Sequence, residues 1–170
     1  MRTVTSIDRL DAELLTALSE DPRAGTSELA ARLGVARNTV QARYQRLVES
    51  GVLTGFSARV DLERLGLPVT AFLHLQLTQG TLGEVTGALG RLSRVLEVCT
   101  TTGTSDVMVR VACRSHAELQ SLIQEVLTIR GVVRSTTEIA LTTPVEYRLG
   151  PLLATLTSDR GRGRSGDQRR

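Results

Sequence analysis

The stretch TSELAARLGVARNTVQARYQRLVESG, residues 26–51, holds a cluster of side chains suited to the edges of base pairs: Arg37, Asn38, Thr39, Gln41 and Ala42. Asn and Gln pair bidentately with adenine and Arg with guanine, while a small Ala permits close approach. At about 100° per residue on a helix, Val40, Tyr44 and Leu47 share a buried face, and Asn38, Ala42, Gln45 and Glu49 point away. Arg37, Thr39 and Gln41 lie at the exposed start or on the flanks. Arg43 and Arg46 come one turn further on, where phosphates would run. The same pattern also fits an ordinary amphipathic helix with a polar outer face.

Other chemistry is sparse. The two His residues stand in unrelated contexts, Cys99 and Cys113 have no metal-like spacing, and there is no glycine-rich phosphate loop. No nucleophile–base pair is visible, so no catalytic residue, metal ligand or cofactor is assigned and the chain is not expected to be an enzyme. His74, alone in FLHLQL, reads as a strand residue with no special role.

The elements that must position the Arg-Asn-Thr cluster are three short helices. SIDRLDAELLTALSED predicts the first, with Ser6 as its cap and Ile7, Leu10, Leu14 and Leu18 in one stripe. Thr26 is expected to cap a second helix through Leu33, with Gly34 as its left-handed terminus. The third runs from about Arg37 to Ser50. VLTGFSARVD then alternates around Thr54-Gly55, which suggests two short strands forming a wing.

After the connector DLERLGLP the pattern changes. VTAFLHLQL, LEVCTTT, DVMVRVAC and RSTTEIALTT read as strands. Helices are expected over residues 81–92, with Leu82, Val85, Leu89 and Leu92 inward, and after Ser115, with Leu119, Leu122, Ile123 and Val126 on one side. The order β-α-β-β-α-β is that of a ferredoxin-like unit, which leaves one sheet face uncovered and so favours an oligomer. The expected class is α+β: a winged helix-turn-helix domain over residues 1–60, a linker over 61–67, the βαββαβ domain over 68–147, and a C-terminal segment over 148–170.

Composition sets the outer bounds. The chain has 170 residues, 41% apolar and only 2% aromatic, so its core must be aliphatic. All 21 basic residues are Arg, and the net charge of +3 comes largely from the last eleven residues, with five Arg and one Asp. The final SDRGRGRSGDQRR has no apolar residue and is expected to be disordered, its Arg side chains adding sequence-blind affinity for DNA. Two thiols give no disulfide framework, which fits a reducing cytosol, and no apolar run is long enough for a membrane span.

Several motifs carry a family resemblance. They are D-x-x-L-L-x-x-L in the first helix, S-E-L-A-x-R-L-G in the second, V-x-x-R-x-x-R-L-x-x-x-G-V-L in the third, G-F-S-A after it, and GTSDVMVRV at the central hairpin. Over residues 7–143 the chain resembles the Lrp/AsnC, or feast/famine, regulators. One departure is Ala36, where many members carry a capping Ser.

The resemblance implies a cytoplasmic DNA-binding transcriptional regulator. Its partners would be double-stranded DNA, an amino-acid effector and further copies of itself, as a homodimer assembling to a higher oligomer such as an octamer. The effector would lie between dimers at the turn Gly103, Thr104, Ser105, Asp106, with Thr100, Thr102, Glu138, Ile139, Ala140 and His116 near the same pocket. Gly103 would allow close backbone approach, and Asp106 would take the ligand's ammonium. Asp106 fits equally a turn residue that bonds its own backbone. Thr104 in place of an acid and Val107 in place of an aromatic argue against leucine itself as the ligand. The alternative function is a ligand-independent, nucleoid-organising DNA-binding protein.

Overall fold

The computed structural model describes residues 4–163. Their contacts divide into two units: one runs to Ala58 and resumes at Val145, and the other is Arg59–Pro144.

The first unit is built on α1 (Arg9–Glu20), α2 (Thr26–Leu33), α3 (Arg37–Glu49) and α6 (Gly150–Leu156). Leu10, Leu14, Ala17 and Leu18 of α1 pack with Leu29, Ala30 and Leu33 of α2 and with Val40 and Leu47 of α3. The cap of α1 is Asp8 rather than Ser6. Its side chain accepts from the Asp11 backbone N–H at 3.0 Å, and Asp11 returns the bond to the Asp8 N–H at 2.9 Å. A carboxylate is the stronger partner for the positive end of a helix, which is why the shorter hydroxyl two residues earlier is passed over. Thr26 is likewise the first helical residue and not the cap, which is Gly25. Gly34 closes α2 in the left-handed conformation at φ 65°. α3 starts after Ala36, which makes no side-chain cap bond.

No wing strands form. Leu53 donates to the Leu47 carbonyl, and residues 52–60 then run without a ladder, with Phe56 and Val60 about half exposed. Alternation alone does not hold a two-stranded ribbon that has no face to bury.

The C-terminal helix α6 packs on α1, and the cleft between them is bordered by Arg32 and Leu33 at the end of α2. Small residues make this possible: Ala12 and Thr16 on α1 face Gly150 and Ala154 on α6. A Cβ on Gly150 would stand 3.3 Å from the Thr16 methyl.

The second unit is the βαββαβ arrangement, with β1 (Val69–Leu77), α4 (Leu82–Leu89), β2 (Val95–Thr100), β3 (Val107–Cys113), α5 (His116–Leu127) and β4 (Val132–Ile139). The sheet order is β2-β3-β1-β4, antiparallel throughout. Ala71, Leu73, Leu75, Val107, Val109 and Val111 point to the helix side and are fully buried, against Val85 and Leu89 of α4 and Leu119, Leu122 and Val126 of α5. Ser115 caps α5 as expected, accepting from the Glu118 N–H at 3.2 Å.

Two boundaries differ from expectation. α4 ends at Leu89, so Leu92 packs from the following turn, and Leu82 in its first turn is 43% exposed. β4 ends at Ile139, with only the Ala140 N–H continuing the ladder to the Thr70 carbonyl.

Candidate functional site

The start of α3 presents Arg37, Asn38, Gln41 and Ala42 to solvent, and Thr39 is half-buried beside them. Val40 and Leu47 anchor the opposite face, at 2% and 1% exposure, so the rotation of α3 is set by its core contacts. Gln41 also receives a 3.4 Å bond from the Thr26 hydroxyl at the start of α2. Polar, hydrogen-bonding side chains thus stand at the open end of the second helix of a helix-turn-helix.

Arg43 does not join them. It is buried, paired with Asp8 and, at 3.0 Å, with Asp11, while Arg46 reaches the other Asp11 oxygen. The role of phosphate contact expected for Arg43 is therefore corrected: its guanidinium ties α3 to the start of α1. Arg46 keeps half its side chain exposed, but its charge is shared with Asp11. Burial opposes ionisation of Asp8, yet the Arg43 guanidinium and the Asp11 backbone N–H outweigh it and hold the Asp8 carboxyl below the ordinary range. Desolvation likewise opposes the charge on Arg43, and the two carboxylates reverse it and raise its pKa. Periodicity places Arg43 on a flank of α3, but it does not show that a carboxylate from α1 covers that flank.

In the second unit, residues 101–106 turn between β2 and β3. Gly103 sits at φ 112°, a conformation that side-chain-bearing residues rarely adopt. Thr100, Thr102, Thr104 and Asp106 are exposed around it. Asp106 is tied into the sheet: its Oδ2 accepts from the Leu77 backbone N–H at 2.7 Å and its own N–H bonds the Leu75 carbonyl at 2.9 Å. The Thr104 carbonyl accepts from Gln76 at 2.8 Å.

Beside the turn, on the sheet face away from the helices, lies an open groove of about 460 Å³. Thr104 and Ser105 form one end, His74 and Gln76 of β1 its floor, and Arg134, Thr136 and Glu138 of β4 its wall. His74 Nε2 lies 3.6 Å from the Glu138 carboxylate. His74 thus has a position that its sequence context did not suggest. The period-2 alternation of β1 carried the signal, because it sets His74 and Gln76 opposite the buried Leu73 and Leu75.

Glu138 is the one β4 residue expected at the pocket that the groove includes. Ile139 and Ala140 lie further along, opposite Ala71 and Thr70, and the Ile139 side chain shares the helix-side face with Ala71. His116 is excluded from the turn within one chain. It follows β3 at the end remote from residues 103–106, and seven residues of strand at roughly 3.4 Å each lie between.

Neither thiol is poised as a nucleophile. Desolvation and the nearby Glu97 raise the Cys99 pKa, and burial followed by Glu118 raises that of Cys113. No group of three or more His, Cys, Asp or Glu that could hold a metal occurs among the described residues. No helix among them is long and apolar enough to cross a membrane.

A helix-turn-helix unit joined to a four-stranded α+β unit with a polar groove defines a two-domain, DNA-binding transcriptional regulator. The comparisons agree: residues 7–48 match the AsnC-type helix-turn-helix domain and residues 70–149 the Lrp/AsnC ligand binding domain. The chain belongs to the Lrp/AsnC family. It is 33% identical over 141 residues to the HTH-type transcriptional regulator FL11 of Pyrococcus abyssi, covering 83% of this chain and 93% of that protein. It is also 33% identical over 119 residues to the HTH-type transcriptional regulator Ptr1 of Methanocaldococcus jannaschii, covering 70% and 80%. Among solved structures, AsnC of E. coli superposes with a TM-score of 0.78 at 31% identity, over 86% of this chain and 100% of that one.

Proposed function

We propose that the chain recognises specific DNA sequences through Arg37, Asn38, Thr39, Gln41 and Ala42, and that an amino acid or related small metabolite modulates this binding. The observation that carries the DNA reading is the exposure of Arg37, Asn38, Gln41 and Ala42 at the start of α3, with Thr39 half-buried beside them, while Val40 and Leu47 behind them are buried. Asn38→Ala should cost roughly 1–3 kcal/mol at the preferred site and relax base preference at one position. A gel-shift series on duplexes enriched from a random pool tests this, and unchanged affinity and preference in Asn38→Ala and Gln41→Ala would refute it.

The effector reading rests on opposite charges arranged around one polar groove. Arg134 suits a carboxylate and Glu138 an ammonium, and the exposed Asp106, in the turn beside the groove and outside its lining, is the second candidate for the ammonium. The oligomeric reading rests on the uncovered sheet face, where Phe72 and Met108 are half-exposed and Arg110 Nε is buried without a hydrogen-bond partner. A second copy would cover that face, and dimers would assemble further around an effector held between them. Such a ligand shifts the assembly only by its difference in affinity between states, typically about 1–3 kcal/mol.

Thermal shift against the twenty amino acids identifies the effector, because a ligand of the folded state raises its melting temperature. Asp106→Ala should abolish the response to that amino acid in sedimentation and leave basal DNA affinity in place. A full response in the variant would leave Asp106 as a turn residue only.

A further inference from the structure

Residues 150–163 lie beyond both matched stretches, and their described part is not a loose tail. The expectation of disorder is corrected for residues 158–163; the remaining 164–170 lie outside the described residues. After α6, Thr157 is buried and bonds the Leu153 carbonyl. The chain then crosses the start of α1 and the end of α2 and reaches the side of α3 at Arg43. Arg160 Nη1 donates to the Ser6 hydroxyl at 2.8 Å and to the Ile7 carbonyl at 2.6 Å, just before α1. The Gly161 carbonyl accepts the N–H of Arg9, one of the donors that the first turn of α1 leaves open, at 3.3 Å. Arg162 reaches the Glu13 carboxylate at 2.6 Å and the carbonyl of Leu33, at the end of α2, at 3.3 Å. Gly163, at φ 57°, lies against the Asp8–Arg43 ion pair so closely that a Cβ there would collide with the Asp8 carboxylate and crowd the Arg43 guanidinium.

We propose that residues 150–163 are a C-terminal strap that positions the recognition helix α3. The alternation Arg-Gly-Arg-Gly has a mechanical reading. The two Arg side chains anchor the strap to carbonyls and a carboxylate, and Gly163 lets the backbone close over the ion pair that joins α3 to α1. Arg160 and Arg162 therefore serve the protein's own fold, leaving Arg164, Arg169 and Arg170 as the tail cations for DNA. The strap stops α1 from sliding along α3, so its loss lets the reading side chains wander from their shared orientation. The link to affinity rests on the DNA reading above, whereas the structural role is measurable without DNA.

Four variants of the full chain test it: truncation after Leu149, truncation after Gly163, Gly163→Val, and Gly161→Ala as a control, since nothing lies within 4 Å of an added Cβ at Gly161. Hydrogen exchange without DNA should be faster by about tenfold at α1 and α3 amides in the Leu149 truncation and in Gly163→Val, with sheet amides of the second unit unchanged. Truncation after Gly163 and Gly161→Ala should exchange like the parent. Affinity for a duplex enriched by the full chain should fall at least threefold in the first pair, about 0.7 kcal/mol, and the loss should persist at high salt, where tail charges no longer contribute. Parent-like exchange in Gly163→Val, or equal exchange in the two truncations, would overturn the strap. If exchange responds and no duplex is ever enriched, the strap stands and the DNA reading fails.

Discussion

At the scale of single residues, the best-defined feature is the carboxylate pair that holds Arg43. Asp11 is fully buried and Arg43 nearly so, so removing this cation leaves Asp11 with the half-exposed Arg46 as its remaining ion-pair partner. Arg43→Ala should destabilise the DNA-binding unit by about 2–3 kcal/mol, less than a fully unpaired buried charge would cost, read in urea unfolding. Asp8→Asn keeps the capping oxygen and removes the charge. Because the Asp8 carboxyl is held below its ordinary value of 3.8, its contribution is present above that pH and lost as the pH falls through the depressed value. The Asn variant should be weaker than the parent by about 1.5–3 kcal/mol at pH 7, with the gap closing in acid. A gap that stays constant to pH 3 would mean that the charge is irrelevant. Reading α3 by itself cannot reveal this network, because the partners lie about thirty-five positions away in sequence and neither helix shows a local sign of the other.

Among the elements, the helices were legible where burial has a clear period. The apolar stripes of α1, α2, α3 and α5 mark their core faces, and β1 runs over the nine residues that its alternation predicts. The failures fall where an element needs something outside its own sequence. The wing needed a surface to cover, and the end of β4 depends on where β1 stops offering partners. The place of His74 is hidden for a similar reason: the groove it floors needs β4 to supply its wall. α3 allows a direct test of local chemistry. Ala36 has the extended backbone of a cap residue, at φ −68° and ψ 147°, but no side-chain acceptor. Ala36→Ser should stabilise the DNA-binding unit by about 1 kcal/mol, seen as slower exchange of α3 amides. The Thr39 N–H already donates to the Ala36 carbonyl at 3.0 Å, so no gain would mean that this bond already satisfies the first turn of α3.

On the scale of the whole molecule, the sheet face of the second unit is what one copy leaves open, while the strap completes the first unit from the far end of the chain. If a second copy covers the sheet, Phe72→Glu should shift sedimentation from dimer to monomer and leave the helix-side core intact, since Phe72 points away from Ala71 and Leu73. A dimer that persists would move the interface elsewhere.

The strap also has a consequence for how the molecule comes together. Arg160 meets Ser6 across a sequence separation of 154, with the whole second unit between them. Closing a loop of that length in an unfolded chain is slow and entropically costly, and a folded insert changes that cost by fixing how far apart its two ends lie. If the strap acts as proposed, the local contacts of the three helices are expected to form first and the long-range docking of residues 150–163 last. In pulsed hydrogen exchange during refolding, α1 and α3 amides would then reach full protection only after the sheet amides of the second unit, and a newly made chain would gain its full grip on DNA only once the second unit had folded.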